Sequence, residues 1–228
     1  MRAPMIDPAI VHPAVRPVVL LTGFDPFGGA NVNPSWQAVR SLHGRQILRR
    51  RVTAVQLPTV FGDALRVLDT WLDQLRPELV VCVGQAGGRA AISLERVAIN
   101  VDDAPLRDNA GAQPVDRPVV AGGPAAYFST LPIKSMHAAL QQEGLPVEVS
   151  QTAGTFVCNH VFYGLMHRLS IHPGLHHTRG GFVHVPWLPE QGVPNMALDD
   201  VVRGLQLALK CALQTRQNAM VASGGSCH

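Results

Sequence analysis

Short apolar runs alternate with amphipathic stretches along most of this chain. Two of the runs, Val18 to Thr22 and Leu79 to Val83, are continuous and stop at a glycine, as buried parallel strands do. Similar runs predict three more strands, at 52–57, 147–150 and 182–185. Between them, the apolar residues from Leu65 to Leu75 recur at helical spacing and end before Pro77, which predicts an amphipathic helix.

Helical signals fill most of the remaining gaps. Further helices are predicted from about Pro34, with Asn33 as the N-cap, and over 133–143, 158–169 and 196–215. Residues 93–101 are expected to be extended, and 102–118 to form a polar loop. Strands that alternate with helices predict one α/β domain, with a mostly parallel sheet covered by helices on both faces.

The composition fits a folded protein with a sizeable core. Hydrophobic residues make up 46% of the 228 positions and charged residues 15%. The net charge of +3 is concentrated in Arg45 and residues 49–51, without a broad basic stripe, so nucleic-acid binding is not expected. No signal-peptide core or membrane-length apolar segment occurs, which predicts a soluble, cytoplasmic protein without membrane contact. We expect one domain over 17–217, an irregular extension over 1–16 and a flexible tail over 218–228.

Cysteine is the first candidate for chemistry, because Cys158 follows one of the predicted strand ends. Ligands of such sheets bind at the carboxyl ends of the strands, and the loops concerned follow Thr22, Val83, Gln151 and Val185. Cys158 opens a predicted helix, whose positive dipole end favours the reactive thiolate. Such a nucleophile would be exposed and sensitive to alkylation, whereas a structural cysteine would be buried and inert. The local sequence allows both.

The other three cysteines suggest no metal or redox site. Cys82 lies in an apolar run, Cys211 in a helical pattern and Cys227 in a Ser-Gly tail, and no two cysteines form a CxxC pair. Four cysteines are also few for the disulfide framework of a secreted protein of this length.

A histidine and a glutamate lie in strands where polar side chains are unexpected. His184, at the carboxyl edge of an apolar strand, could be a general base or a core histidine bonded to backbone. Glu95 lies in an otherwise apolar strand, where a carboxylate costs free energy unless it is paired. Its neighbour Arg96 should point to the opposite face, so a histidine from another strand is the better partner. Cys158, His184 and Glu95 could then form a nucleophile, a base and an orienting acid.

Two glycine-rich loops do not match nucleotide-binding motifs. The segment 84–89 (GQAGGR) lacks the GxGxxG spacing, and 23–29 (GFDPFGG) lacks the Lys-Ser/Thr ending of a P-loop. In the second loop, Phe24 and Phe27 could line an apolar pocket or belong to the core. Histidines 167, 172, 176 and 177 match no helix-borne metal motif and are expected at the surface. Neither a cofactor nor a metal is predicted.

Four segments together resemble pyroglutamyl peptidase type I, also called pyrrolidone-carboxylate peptidase, a family of cysteine peptidases. They are TGFDPFGGANVNPSW (22–36), VGQAGGRAAISLERVAIN (83–100), TAGTFVCNHVFY (152–163) and FVHVPWLPEQ (182–191), in the family's order. The resemblance implies a single α/β/α sandwich, commonly a homotetramer, that needs no metal. It also implies removal of an N-terminal pyroglutamyl residue from peptides.

The resemblance assigns roles to particular residues. Cys158 would be the nucleophile, His184 the general base and Glu95 the residue that orients it. A pyroglutamyl group is a neutral lactam without a free α-amine, so an apolar slot with few polar groups suits it. The implied pocket residues are Phe24, Phe27, Asn33, Gln85, Phe156 and Val157.

One loop departs from the family pattern. Family members often carry an arginine where this chain has Pro105, and Arg107 is the nearest possible replacement. This leaves a catalytically impaired homologue that binds pyroglutamyl peptides as an alternative. Other enzymes on such a scaffold, nucleoside phosphorylases or peptidyl-tRNA hydrolases, would need a phosphate site or a basic groove, and the sequence shows neither.

Overall fold

The structure is a computed structural model, and it describes residues 17–215. The strands are β1 (Val18–Phe24), β2 (Gln46–Ile47), β3 (Arg50–Leu57), β4 (Leu79–Gln85), β5 (Ile92–Glu95), β6 (Val97–Ile99), β7 (Ala126–Phe128), β8 (Val147–Ser150) and β9 (Arg179–Val185). The helices are α1 (Pro34–Ser41), α2 (Asp63–Leu75), α3 (Ile133–Gln142), α4 (Val157–Ile171) and α5 (Leu198–Gln214). The segments expected to be an extension (1–16) and a tail (218–228) lie outside the described residues.

The main sheet has seven strands in the order β2-β3-β1-β4-β9-β5-β8. The neighbours β3, β1, β4 and β9 run parallel, as do β5 and β8, while β2 against β3 and β5 against β9 are antiparallel. The prediction of a mostly parallel sheet is therefore confirmed. Because β5 runs antiparallel to β9, the start of β5 lies beside the carboxyl end of β9.

Alternation along the strands divides the core into two layers. Val19 and Leu21 of β1 belong to a buried cluster with α1, α3 and α5, whereas Leu20 and Phe24 belong to a cluster with α2 and α4. Because β1 and β4 bury both of their faces, these two strands are nearly continuous apolar runs in the sequence. The α/β/α sandwich is confirmed.

The expected extended segment 93–101 is two strands in two sheets. The strand β5 belongs to the main sheet, but β6 pairs with β7, which the sequence pattern did not predict. Between them, the N–H of Arg96 donates to the Ser150 carbonyl and its own carbonyl accepts from Ser129. The break occurs because the two ends of this segment have different partners, and periodicity carries no information about partners.

The predicted loop 102–118 is held in place by side chains. The buried Asp108 accepts hydrogen bonds from the backbone N–H groups of Phe61, Ala110 and Ala112. This ties the loop to the start of α2. Over residues 17–215, none of the helices is long and apolar enough to cross a membrane.

Candidate active site

The three residues predicted to form a triad come from three elements of the structure. Glu95 is the last residue of β5, His184 lies near the end of β9, and Cys158 is in the first turn of α4. In the antiparallel pair of β5 and β9, Ser93 lies opposite His184. Glu95, two residues further along β5, therefore faces the same side of the sheet as His184.

Glu95 and His184 form a buried hydrogen bond. The distance between His184 Nδ1 and Glu95 Oε1 is 2.8 Å, and the two residues are 4% and 0% exposed. Since a carboxylate can only accept, Nδ1 carries the proton and donates it. The other ring nitrogen, Nε2, is left to accept a proton from a neighbouring group.

The Cys158 sulfur lies over a glycine that neighbours His184. A Cβ atom placed on Gly84 would be only 2.8 Å from Cys158 Sγ and 2.8 Å from the Phe182 ring. Gly84 is the register partner of His184 in the parallel pair of β4 and β9, and the rings of Phe182 and His184 are 4.9 Å apart. The thiol and the imidazole thus occupy the same small area of one sheet face, where only glycine leaves space for the sulfur.

The surroundings of Cys158 favour the thiolate less than its place at the start of a helix indicates. The residue is partly exposed, but burial of the thiol, followed by the nearby charge of Glu95, raises the pKa of Cys158 to about 12. Arg89 acts in the opposite direction and lowers this pKa. Desolvation and the neighbouring carboxylate both favour the protonated thiol over the thiolate. The protonated thiol needs a base to become a nucleophile.

Arg89 completes the site, and sequence reasoning did not single it out. Its Nη1 atom lies 2.8 Å from Glu95 Oε1, so this oxygen accepts hydrogen bonds from both Arg89 and His184. The signal was present in the sequence, because Arg89 ends the GQAGGR loop six residues before a glutamate in an apolar strand. Of this loop, the resemblance assigned a role to Gln85 but none to Arg89.

Three phenylalanine rings form a group close to Cys158. Phe156, immediately before α4, has its ring centroid 5.9 Å from that of Phe27 and 5.4 Å from that of Phe61. Phe27 and Phe156 are thus brought together as the resemblance implies, and Phe61 is an addition. Phe61 also packs edge-on against His160, which is hydrogen-bonded to Asp102.

A cleft of about 540 Å³ adjoins this group. Phe27, Leu106 and Trp187 supply its apolar walls, and Gln85 and Gln191 supply polar groups. The Gln191 amide donates to Gln85 Oε1 at 3.1 Å. The mixture of apolar walls and a few fixed polar groups is typical of a site for a small organic ligand.

The other implied pocket residues lie deeper. Phe24 and Val157 are 2% and 0% exposed and belong to the core beneath the site. Asn33 is 2% exposed and caps α1: its Oδ1 accepts from the Ser35 N–H and hydroxyl, and its Nδ2 donates to the Asp25 carbonyl. The structure therefore places these three residues under the pocket surface.

The loop that carries Pro105 contributes Leu106 to the cleft. Arg107 does not take the place of the arginine that is common in the family, because its Nη1 donates to the carbonyl of Gly111 in its own loop. Within the described range 17–215, no group of three or more His, Cys, Asp or Glu side chains is arranged to hold a metal ion.

Comparisons with known proteins agree on one family. Residues 17–215 match the Pyroglutamyl peptidase family. Pyrrolidone-carboxylate peptidase 1 of Ralstonia nicotianae is 58% identical over 217 residues, which cover 93% of this chain and 100% of the relative. The pyrrolidone-carboxylate peptidase of Bacillus cytotoxicus is 52% identical over 215 residues, which cover 92% of this chain and 99% of the relative.

Solved structures give the same result. The crystal structure of pyroglutamyl peptidase I from Bacillus amyloliquefaciens matches with a TM-score of 0.88 and 46% identity, covering 91% of this chain and 100% of that one. A variant pyrrolidone carboxyl peptidase from Pyrococcus furiosus matches with a TM-score of 0.82 and 39% identity, covering 86% and 98%. These matches favour an active peptidase over the binding-protein alternative. The chain belongs to the pyroglutamyl peptidase family, a family of cysteine peptidases.

Proposed function

We propose that this protein removes N-terminal pyroglutamyl residues from peptides with Cys158 as nucleophile, His184 as general base and Glu95 as the group that orients His184. The observation that carries the proposal is the buried 2.8 Å hydrogen bond between His184 and Glu95. It fixes the proton on Nδ1 and leaves Nε2 free to accept one, on the sheet face where Cys158 Sγ lies over Gly84. A nucleophile, a base and an orienting carboxylate in this relation perform acyl transfer.

The reaction proceeds in two halves. In the first, His184 Nε2 accepts the Cys158 thiol proton while the sulfur forms a bond to the carbonyl carbon of the pyroglutamyl residue. The C–N bond then breaks, His184 returns the proton to the leaving amine, and a thioester remains. In the second half, water attacks the thioester, His184 accepts its proton, and pyroglutamic acid leaves as the thiol is restored.

The start of α4 supplies groups that stabilise the oxyanion. No side chain caps the N-terminus of this helix, so its first-turn N–H groups are not satisfied by a capping side chain. One of them belongs to Cys158 itself. Because the helix dipole is positive at this end, these donors stabilise the negative oxygen of the tetrahedral intermediate.

The pocket suits the neutral pyroglutamyl ring. Phe27 and Phe156 form the apolar wall next to the nucleophile, and Gln85 offers an amide to the polar edge of the lactam. Phe24, Val157 and Asn33 act from beneath by fixing this wall and the start of α1. The cleft of about 540 Å³ also leaves room for the residue that follows pyroglutamate.

We place this activity in the cytoplasm and assign the protein to a homotetramer. The composition supports the first assignment, and the resemblance to the family supports the second. Size-exclusion chromatography with light scattering measures the assembly directly, and a monomeric mass would contradict the tetramer.

The direct test is hydrolysis of a fluorogenic pyroglutamyl amide by the reduced protein. A prolyl amide is the control for the substrate, and Cys158→Ser is the control for the nucleophile. We expect cleavage of the pyroglutamyl amide alone, and its loss in the variant. Folded, reduced protein that binds a pyroglutamyl peptide without cleaving it would support the impaired homologue instead.

A further inference from the structure

The carboxylate of Glu95 is the most constrained charge in the site. It is 0% exposed, and its Oε1 atom accepts from both His184 and Arg89, each at 2.8 Å. Its Oε2 atom has no hydrogen-bond partner among residues 17–215. A buried carboxylate is costly unless a cation compensates it, and a neutral histidine supplies no charge. The standing compensation comes from Arg89.

Arg89 is itself fixed by two further contacts. Its Nη1 lies 3.4 Å from the Ser150 hydroxyl, and its Nη2 donates to the Thr152 carbonyl at 3.2 Å. Ser150 is the register partner of Glu95 in β5 and β8, and Thr152 begins the segment that leads into α4. One guanidinium group therefore joins the orienting acid to the segment that precedes the nucleophile.

We propose that Arg89 is a positioning residue of the triad, which keeps Glu95 ionised and aligned with His184 and tunes the protonation of Cys158. The inference rests on the proposed function of the triad. Without the cation, a proton on Glu95 or on His184 becomes more favourable. A proton on His184 removes the base, and a proton on Glu95 weakens the acceptor that orients it, so the acid limb of the activity profile moves to higher pH.

The other charged groups around this site do not take over the role. On β8, Glu148 accepts from the Ser93 hydroxyl and adds negative charge. Beyond β5, Arg96 donates to the side chain of Gln151 instead of Glu95. On β4, the buried thiol of Cys82 also raises the pKa of Cys158. Its influence is smaller than that of burial, Glu95 or Arg89. Arg89 is thus the cation that contacts the acid.

The variants are Arg89→Gln and Arg89→Lys, with Arg96→Gln as the matched control. Arg96 is a nearby arginine that is hydrogen-bonded outside the triad. Two readouts are measured against pH: kcat/KM for a pyroglutamyl amide, and the rate of Cys158 alkylation by iodoacetamide, located by mass spectrometry. The second does not require peptidase activity.

We expect Arg89→Gln to move both profiles to higher pH by roughly one unit. An opposite charge in contact shifts a pKa by about one to three units, and the lower value applies because Arg89 is partly exposed to solvent. The loss in hydrolysis should fall on kcat more than on KM, because Arg89 contacts the triad and not the cleft. Arg89→Lys keeps the charge and should recover most of the rate, and Arg96→Gln should match the wild type.

Three outcomes separate the possibilities. Unshifted profiles for a folded Arg89→Gln protein would overturn the inference. A uniform loss at every pH that lysine does not rescue would also overturn it, because it would indicate only a role in holding the Thr152 segment. If the wild type cleaved no pyroglutamyl amide but the alkylation profiles still shifted, the proposed function would fail and the role of Arg89 in controlling Cys158 would stand.

Discussion

Replacing Gly84 by alanine tests whether the space beneath the Cys158 sulfur is required for activity. Gly84 lies within β4 without a positive φ, so the backbone accepts alanine and only the added methyl group matters. Its Cβ would be 2.8 Å from Cys158 Sγ and 2.8 Å from a carbon of the Phe182 ring. Ordinary contacts between carbon atoms are about 3.5–4.0 Å, so the sulfur and the ring must move by roughly 1 Å.

A displacement of that size has a calculable consequence. Misplacing a reacting atom by about 1 Å costs on the order of 100-fold in rate, equivalent to about 2.7 kcal/mol in the activation free energy. Overpacking a core position costs about 1–3 kcal/mol in the free energy of unfolding. We therefore expect Gly84→Ala to remain folded, to lose roughly 100-fold in kcat and to have a lowered midpoint of thermal unfolding.

Gly180→Ala is the matched control. Gly180 lies on the same face of β9 as His184. Its added Cβ would be 2.7 Å from a methyl group of Leu169, away from the triad. It should lower the unfolding midpoint but leave kcat near that of the wild type. Hydrolysis of the fluorogenic pyroglutamyl amide and thermal denaturation measure the two effects. Wild-type kcat in Gly84→Ala would refute the placement of the sulfur over this glycine.

Three further predictions concern the groups around the site. Asn33→Ala removes the cap of α1 and should lower the free energy of unfolding by about 1–2 kcal/mol in urea; unchanged stability with a raised KM would indicate substrate contact instead. The pKa of Cys82 is raised by burial from 9.0 to about 12, so the unfolded state loses its proton first as pH rises above 9. Between pH 8 and pH 10, the free energy of unfolding of the wild type should therefore decrease. In Cys82→Ala this decrease should be smaller by about 1 kcal/mol, and equal decreases in the two proteins would exclude a contribution from the Cys82 thiol. His160→Leu leaves the N–H of Gly62 and the buried Asp102 carboxylate unpaired, which should cost about 2–4 kcal/mol of unfolding free energy, and a neutral effect would contradict the pairing.

The sequence predicts the elements of this fold well because their signals are local. The apolar run at 79–83 lies within β4, and the helical pattern after the Thr-Ala-Gly-Thr turn coincides with α4 to within a few residues. Both faces of β1 and β4 are buried, so these strands stand out as apolar runs. The strand β7 lacks such a signal, since its three residues are only partly buried or exposed.

The sequence predicted three residues of the candidate site and a histidine partner for Glu95, but not the contact of Arg89. Glu95 and His184 stand out because each is a polar residue in an apolar strand. Their hydrogen bond depends on the antiparallel register of β5 and β9, and the two residues are 89 positions apart in the sequence. The contact of Arg89 with Glu95 depends on the path of a glycine-rich loop, which periodicity does not describe. The helix dipole that favours a Cys158 thiolate is a local signal, whereas the burial that raises the pKa of this thiol depends on the fold.

The resting charges suggest why a protonated thiol suits this site. The negative charge of Glu95 is balanced by Arg89. In the proposed mechanism, transfer of the thiol proton to a neutral His184 would create an imidazolium next to Glu95 and a thiolate at the positive end of α4. Both new charges thus arise where an opposite charge or dipole already lies, and no side chain has to move to stabilise them. Interactions lower the barrier most when they stabilise charges that form only during the reaction. Burial of the Cys158 thiol disfavours a thiolate before the reaction, so little of this stabilisation is used in the resting protein.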